Sequence, residues 1–385
     1  MRLGCIGIGS NAIRLLVASW KDGQLCDVRR ERRGTRLFAG LIGGRLTEES
    51  IQSSVNAVDE LAQCARGDGA QEIFVFATSA VRDAANGRVF TDRCEAACGT
   101  RVEIVSGEEE AVLSYIGASD GGVCGMIDIG GGSTEFTLGE GEKIRGAVSL
   151  QMGAVRMNAQ RPVLRLDDYA ATVEQCRRLI QRDAQGLLTL GMKPDWVGVG
   201  GTMTTLGAMQ CAVPLFDAAR CEGMRMDFET VAGWGRRLAR MSMAERRQVP
   251  GLMVHRADII PSGVAILEAA MREFGMDSIR LSAHGNMDGY LKKDGLLPEV
   301  KQAVLMQEVN LLMQQNRVNE LERPLKEAIA LLPDSFEGKM CSRLLEKLPE
   351  IKKERGQLKP GEEPPLPPGA IRATKMIVPP APAKK

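Results

Sequence analysis

The stretch GCIGIGSNAI, Gly4 to Ile13, runs a short apolar strand into a turn of small residues, and the pattern returns as GMIDIGGGSTEF at residues 125–136. A strand, a glycine turn and a second strand at the head of each half constrain the fold more than any other feature, because one local unit has to be built twice. Laid over one another, the two copies share Ile-x-Ile-Gly followed by small or hydroxyl residues. The first carries Gly7 where the second carries Asp128. Strands alternating with helices after each copy point to an α/β fold, mixed sheets covered by helices, in a duplicated arrangement.

Residues 1–119 form the first expected α/β unit. Thr47 is placed to cap a helix whose Ile51, Val55, Val58 and Ala62 share one face, EIFVFATSA reads as a strand, and SGEEEAVLSYIGA opens a helix with Ser106 as its cap. Residues 120–298 form the second, with a polar helix near 167–184, the strand WVGVGG, a helix through PSGVAILEAAMREFG, and LSAHGNMDGYLKKDG to close it. Residues 299–355 read as a helical appendage containing a tetratricopeptide-like hairpin, to be packed on the body or on a protein partner, since one such unit cannot bury its own face. Residues 356–385, with KPGEEPPLPPGAI and PPAPAKK, are expected to be a Pro-rich disordered tail.

At 385 residues the chain has room for two cores. Its 50 Lys and Arg balance 49 Asp and Glu, so no overall field draws it to nucleic acid or to a membrane, and a phosphate-rich ligand must be held by a local arrangement. Ten cysteines without a C-x-x-C pair read as reduced thiols in a cytoplasmic protein. His255 and His284 are the only imidazoles, which argues against a histidine-based zinc site or a Ser-His-Asp triad. The N-terminus enters an apolar strand pattern rather than a secretory signal, and no run is long enough to span a bilayer.

In IDIGGGSTE, glycines 130, 131 and 132 let the backbone approach a ligand, and successive N–H groups in such a turn suit phosphate oxygens. Ser133 and Thr134 add hydroxyls. Asp128 and Glu135 flank the turn as oxygen ligands for a hard cation such as Mg²⁺. A second glycine turn, Gly200, Gly201 and Thr202, can close on the far side of the same ligand, with a helix N-terminus aimed at the anion. Arg82 is a planar fork suited to phosphate, or a surface partner of Asp83 or Glu109. Glu108 and Glu109 read as solvated charges at a helix start. The run RRERRGTR, residues 29–36, reads equally as a polyanion channel and as an exposed strand of alternating charge.

Taken in order, IGIGSNAIRLLVA, RLFAGLIGGRLTEESI, ATSAVRDAANG, IVSGEEEAVLSYIGA, MIDIGGGSTEF, VGVGGTMTTL and HRADIIPSGVAIL resemble the exopolyphosphatase and guanosine pentaphosphate phosphohydrolase family of the actin-like ATPase superfamily, over about residues 1 to 295. The resemblance implies two related actin-like (ribonuclease H-like) domains around a cleft, and Mg²⁺-assisted hydrolysis of the terminal phosphate of inorganic polyphosphate or guanosine pentaphosphate. It also implies the homodimer that the family often forms. Carried over by position, Glu110 matches the general base, and Asp128 and Glu135 match the acids that hold Mg²⁺. Arg82, Ser133 and Gly130 to Gly132 match phosphate binders, and Ser10 with Asn11 match the first loop.

Two positions depart from the pattern: Gly7 stands where the family has Asp, and Gly285, Asn286 and Met287 stand where it has a G-L-R segment. Loss of the acid weakens a metal site yet also relieves repulsion toward a polyanion. An active hydrolase is therefore the first reading. The alternative is a polyphosphate- or guanosine tetraphosphate-binding regulatory protein weakened by Gly7, and a kinase or chaperone of the same superfamily is a third.

Overall fold

The computed structural model describes residues 2–21, 24–214, 217–295, 305, 306, 308–310, 312, 313, 315, 317–331, 333 and 335–355. The expected tail at 356–385 lies outside the described residues.

The first copy of the repeated motif becomes β1 (Arg2–Ile8) and β2 (Ile13–Lys21), an antiparallel hairpin extended by β3 (Gln24–Arg33). A short hairpin, β4 (Leu41–Ile42) with β5 (Arg45–Leu46), precedes the helix Glu48–Gly67, which Thr47 caps as expected. β6 (Glu72–Ala77) and β7 (Val102–Ile104) then add in parallel, giving the order β3-β2-β1-β6-β7. Side chains alternate across β1. Ile6 and Ile8 join Val55, Val58 and Leu61 under the Glu48–Gly67 helix, while Leu3 and Cys5 face Leu113, Met287 and Leu291. Gly7 lies on this second face.

The second copy repeats the plan. β8 (Val123–Ile129), β9 (Thr134–Glu140) and β10 (Lys143–Leu150) are antiparallel neighbours, and β11 (Asp195–Val199) and β13 (Ser278–Leu281) add in parallel beyond β8. An extra strand, β12 (Arg225–Asp227), completes the order β10-β9-β8-β11-β13-β12. Hairpin first, parallel strands afterwards, twice over, is the duplication that the echoed motif implied.

Between the sheets runs the helix Gly107–Ala118, capped by the Ser106 side chain accepting from the Glu109 N–H. Ser114 on this helix bonds to Asp128 of β8, while Leu113 belongs to the cluster beneath β1. The helix Asn286–Gly295 crosses it so closely that a Cβ on Gly289 would strike the Leu113 carbonyl and one on Gly117 the Gly285 carbonyl, so the crossing requires glycine at both positions. This last helix falls in the stretch 120–298 yet packs on the first sheet. Met287, Tyr290 and Leu291 supply the apolar face that the odd residues of β1 need, and Tyr290 stacks on Phe76 with centroids 5.0 Å apart.

Beyond the body, Glu322–Leu331 and Phe336–Arg355 are helices with a core of their own, including Val309, Leu312, Leu325, Ala328 and Cys341. They correct one expectation. Glu108 and Glu109 are buried rather than solvated, because Arg317 pairs with Glu108 and Arg323 with Glu109 at 3.3 Å.

Candidate active site

Both hairpin loops close with the same hydrogen bond: Gly9 N–H to Ala12 O at 3.2 Å in the first, Gly130 N–H to Ser133 O at 3.0 Å in the second. The loops meet tip to tip, since a Cβ on Gly131 would lie 2.8 Å from Ser10 Cβ. Between them opens a cleft of 390 Å³. Of the residues expected to act, Ser10, Asn11, Glu110, Asp128, Gly130, Gly131, Ser133, Gly200 and Gly201 line it. Both polar atoms of the buried Asn11 amide lack a partner.

The remaining expected residues sit back from the cleft wall. Gly132 is pressed between Ser79 and Ser10, and Thr202 packs against Gly263 with its hydroxyl unpartnered, so neither faces a ligand directly. Arg82 stands behind Glu110: its Nη1 donates to Val105 O at 2.8 Å and to Glu110 Oε2 at 3.4 Å. The surface pairings expected for it do not form, because Asp83 is taken by Arg156 at 2.5 Å and Glu109 by Arg323. Glu135 lies directly across the β8–β9 ladder from Asp128, so both carboxylates project to the same side.

Three acids thus share a dry interior. Burial pushes Glu110 up to about 7, with the Arg82 guanidinium opposing it and the Asp128 charge adding to it. Asp128 is raised by burial against the pull of Arg14 and the Ser114 hydroxyl, which donates at 2.7 Å. Glu135 is raised by burial and then by the charges of Glu110 and Asp128. Ser149 donates to its Oε1 at 2.7 Å, and its Oε2 is buried without a partner. Among the described residues no group of three or more His, Cys, Asp or Glu is arranged to enclose a metal ion by itself. Two carboxylates with one oxygen unspent still fit Mg²⁺, which keeps several waters and takes its other ligands from substrate phosphates.

The facing wall is cationic, and here sequence reasoning missed residues. Arg14, Arg30, Arg32 and Arg256 all line the cleft. Along β3 the arginines divide by strand alternation. Arg29 and Arg33 pair with Glu31, Asp68 and Glu60 outside, whereas Arg30 reaches Asp288 at 2.5 Å and Arg32 donates to Met253 Sδ at 3.2 Å. The run is an edge strand through Arg33, and its Arg30 and Arg32 line the cleft. Arg30 and His284 hold Asp288 down to about 2 against the opposing effect of burial. Arg256 is the extreme case: it is 6% exposed, its Nε has no partner, and burial with Arg32 and Arg14 nearby lowers it to about 9. A Cβ on Gly201 would lie 2.5 Å from its Nη1, so only glycine admits the guanidinium beside the start of the Gly200–Gln210 helix. Unpaired buried cations are costly unless an anion binds among them. The signal was present, since Arg256 sits in the quoted HRADIIPSG.

The two departures prove to be neighbours. A Cβ on Gly7 would lie 3.2 Å from Met287 Cγ and 3.3 Å from Phe76 Cζ, so the methionine occupies the space beside the glycine. Gly7 also pairs directly with Arg14 across the β1–β2 ladder.

An acid cluster facing a cationic wall, at the junction of two repeated α/β units, defines a phosphate-handling enzyme of the actin-like ATPase fold. The Ppx/GppA phosphatase family is matched over residues 16–296. Exopolyphosphatase 2 of Mycobacterium tuberculosis is 34% identical over 310 residues, covering 75% of this chain and 97% of that protein. The guanosine-5'-triphosphate,3'-diphosphate pyrophosphatase of Vibrio parahaemolyticus is 28% identical over 303 residues, covering 74% of this chain and 57% of that protein. The solved PPX-GPPA enzyme of Aquifex aeolicus superposes with a TM-score of 0.65 at 26% identity, over 76% of this chain and 99% of its own. The chain belongs to the Ppx/GppA phosphatase family.

Proposed function

We propose that this chain is an exopolyphosphatase that removes the terminal phosphoryl group of inorganic polyphosphate, and extend the same reading to guanosine pentaphosphate. One observation carries it: Glu110 lies on the cleft wall with its carboxyl pKa raised to about 7, opposite Arg14, Arg32 and Arg256, for which no ion pair is present among the described residues. A base whose pKa lies close to the working pH can both accept a proton and be available ionised. Glu110 takes the proton of the attacking water, and Arg82 fixes the orientation of its carboxylate. The Gly130–Ser133 and Gly9–Ala12 loops hold the terminal phosphoryl group through N–H and hydroxyl donors. Arg256, Arg14 and Arg32 offset the charge that spreads over the phosphate oxygens and follow the chain outward. Asp128 and Glu135 would hold Mg²⁺, which when bound supplies charge neutralisation at the phosphates.

Purified protein incubated with long-chain polyphosphate, and separately with guanosine pentaphosphate, is expected to release orthophosphate only when Mg²⁺ is present. A folded preparation inert toward both would remove the reading.

The regulatory alternative is tested by Gly7→Asp. A carboxylate opposite Arg14 occupies one of the cleft's cations and crowds Met287, so KM is expected to rise about tenfold, the equivalent of one lost contact of 1.4 kcal/mol. A large gain in kcat would instead favour a binding protein whose turnover left with the acid.

A further inference from the structure

Residues 305–355 lie beyond the family match, which ends at 296, and the Aquifex aeolicus enzyme is matched over 99% of its length by 76% of this chain. What the appended helices touch is therefore a contact that the matched family domain does not include. They touch the back of the catalytic helix. Arg317 pairs with Glu108 and also with Glu320 at 2.6 Å, while Arg323 reaches Glu109 at 3.3 Å, Glu308 at 2.6 Å and Glu103 at 4.0 Å. Gln315 Nε2 donates to Ala147 O on β10 at 3.2 Å. The contact includes two carboxylates of that helix's first turn.

Glu108 and Glu109 are 8% and 4% exposed, and they immediately precede Glu110 in the first turn of the Gly107–Ala118 helix. Three consecutive carboxylates gain from the helix N-terminus but repel one another, and all three are shielded from water. Without countercharges that turn would have to open toward solvent. Its inner side is already fixed to the site, since Gly107 abuts Ser149, the donor to Glu135. From the cleft, Glu110 faces Arg82, Arg14, Asp128 and Glu135. The turn is thus held from inside by the active site and from outside by the appendage.

We propose that Arg317 and Arg323 are positioning residues that neutralise Glu108 and Glu109, lock the first turn of this helix and thereby keep Glu110 aimed at the terminal phosphoryl group. The catalytic part of this statement rests on the function proposed above, while the mechanical part does not. A displacement of Glu110 by a fraction of an ångström is enough to slow the chemical step while substrate binding, which uses other residues, is kept.

The test uses the full chain carrying Arg317→Ala and Arg323→Ala. Amide hydrogen exchange in residues 107–111 is expected to quicken at least about tenfold, with β1 and β8 unchanged, the signature of a local opening. kcat is expected to fall about tenfold with KM within about twofold, a split that marks lost alignment rather than lost binding. Arg323→Lys alone keeps most of the rate. Adding Glu108→Gln and Glu109→Gln to the double alanine variant removes the carboxylate charges that Arg317 and Arg323 face and recovers both exchange protection and kcat, as a coupled set requires. Unchanged exchange in the first turn overturns the proposal, and so does a rate loss that the glutamines fail to rescue. If the unaltered chain releases no phosphate, the hydrolase reading fails while the exchange measurement still decides whether the clamp exists.

Discussion

Glu110→Gln is expected to lower kcat for orthophosphate release by about 10²–10⁴-fold while leaving KM nearly unchanged, the loss typical of removing a positioned base. The amide keeps the shape of the side chain and its contact with Arg82, so the fold and the phosphate loops stay in place. What it cannot do is accept the proton of the attacking water. The same residue sets the pH dependence. Burial raises the Glu110 carboxyl to about 7, so the ionised form that acts as base is lost as pH falls through that value. kcat/KM should decline about tenfold per pH unit on the acid side and level off above it. Steady-state kinetics of both proteins across about pH 5.5–9, up to about two units on either side of neutrality, check the two statements together. A Glu110→Gln protein with near-normal kcat, or an unaltered protein whose rate does not fall with acid, would contradict them.

Arg256→Met is expected to reduce kcat/KM by about 10²–10³-fold, the scale seen when one preorganised donor to a developing oxyanion is removed. The reasoning is electrostatic. The guanidinium is buried beside Gly201 with its Nε unpartnered, and no ion pair to it is present among the described residues. A cation in that state is stabilised by the anion it waits for, and burial with two neighbouring arginines already weakens its hold on its proton. Folding stability should therefore move the other way. Methionine of similar length fills the space without a buried charge, so the melting temperature should hold or rise, as is common when a strained functional residue is removed. Kinetics and thermal unfolding on one preparation decide the matter. A large fall in stability with little change in kcat/KM would mark Arg256 as structural.

Why the sequence disclosed some of this and hid the rest follows from how far apart the interacting groups lie along the chain. The paired hairpins were readable because each is local: Ile-x-Ile-Gly and the small residues after it build strand, turn and strand within about a dozen positions. Glu110 and Asp128 stand out as candidates because they lie in motifs of fixed spacing, and both line the cleft. The arginines were harder. Nothing in RRERRGTR says which residues face the cleft until β3 is placed at the edge of a sheet, when alternation sends Arg30 and Arg32 one way and Arg29 and Arg33 the other. Glu108 and Glu109 read as solvated in the sequence because their partners, Arg317 and Arg323, come some two hundred positions later, beyond the span that the family model matches. Gly7 and Met287 looked like two separate losses because only the crossing of the Asn286–Gly295 helix over β1 makes them neighbours.

The central claim is that water, directed by Glu110, attacks the terminal phosphoryl group held between the two hairpin loops. Turnover of polyphosphate in ¹⁸O-labelled water, followed by mass spectrometry of the orthophosphate released, tests it directly. The account predicts one solvent oxygen in each orthophosphate set free, and loss of that labelled product in Glu110→Gln. Unlabelled orthophosphate, or a phosphoryl group recovered on an added acceptor such as ADP instead of on water, would contradict it.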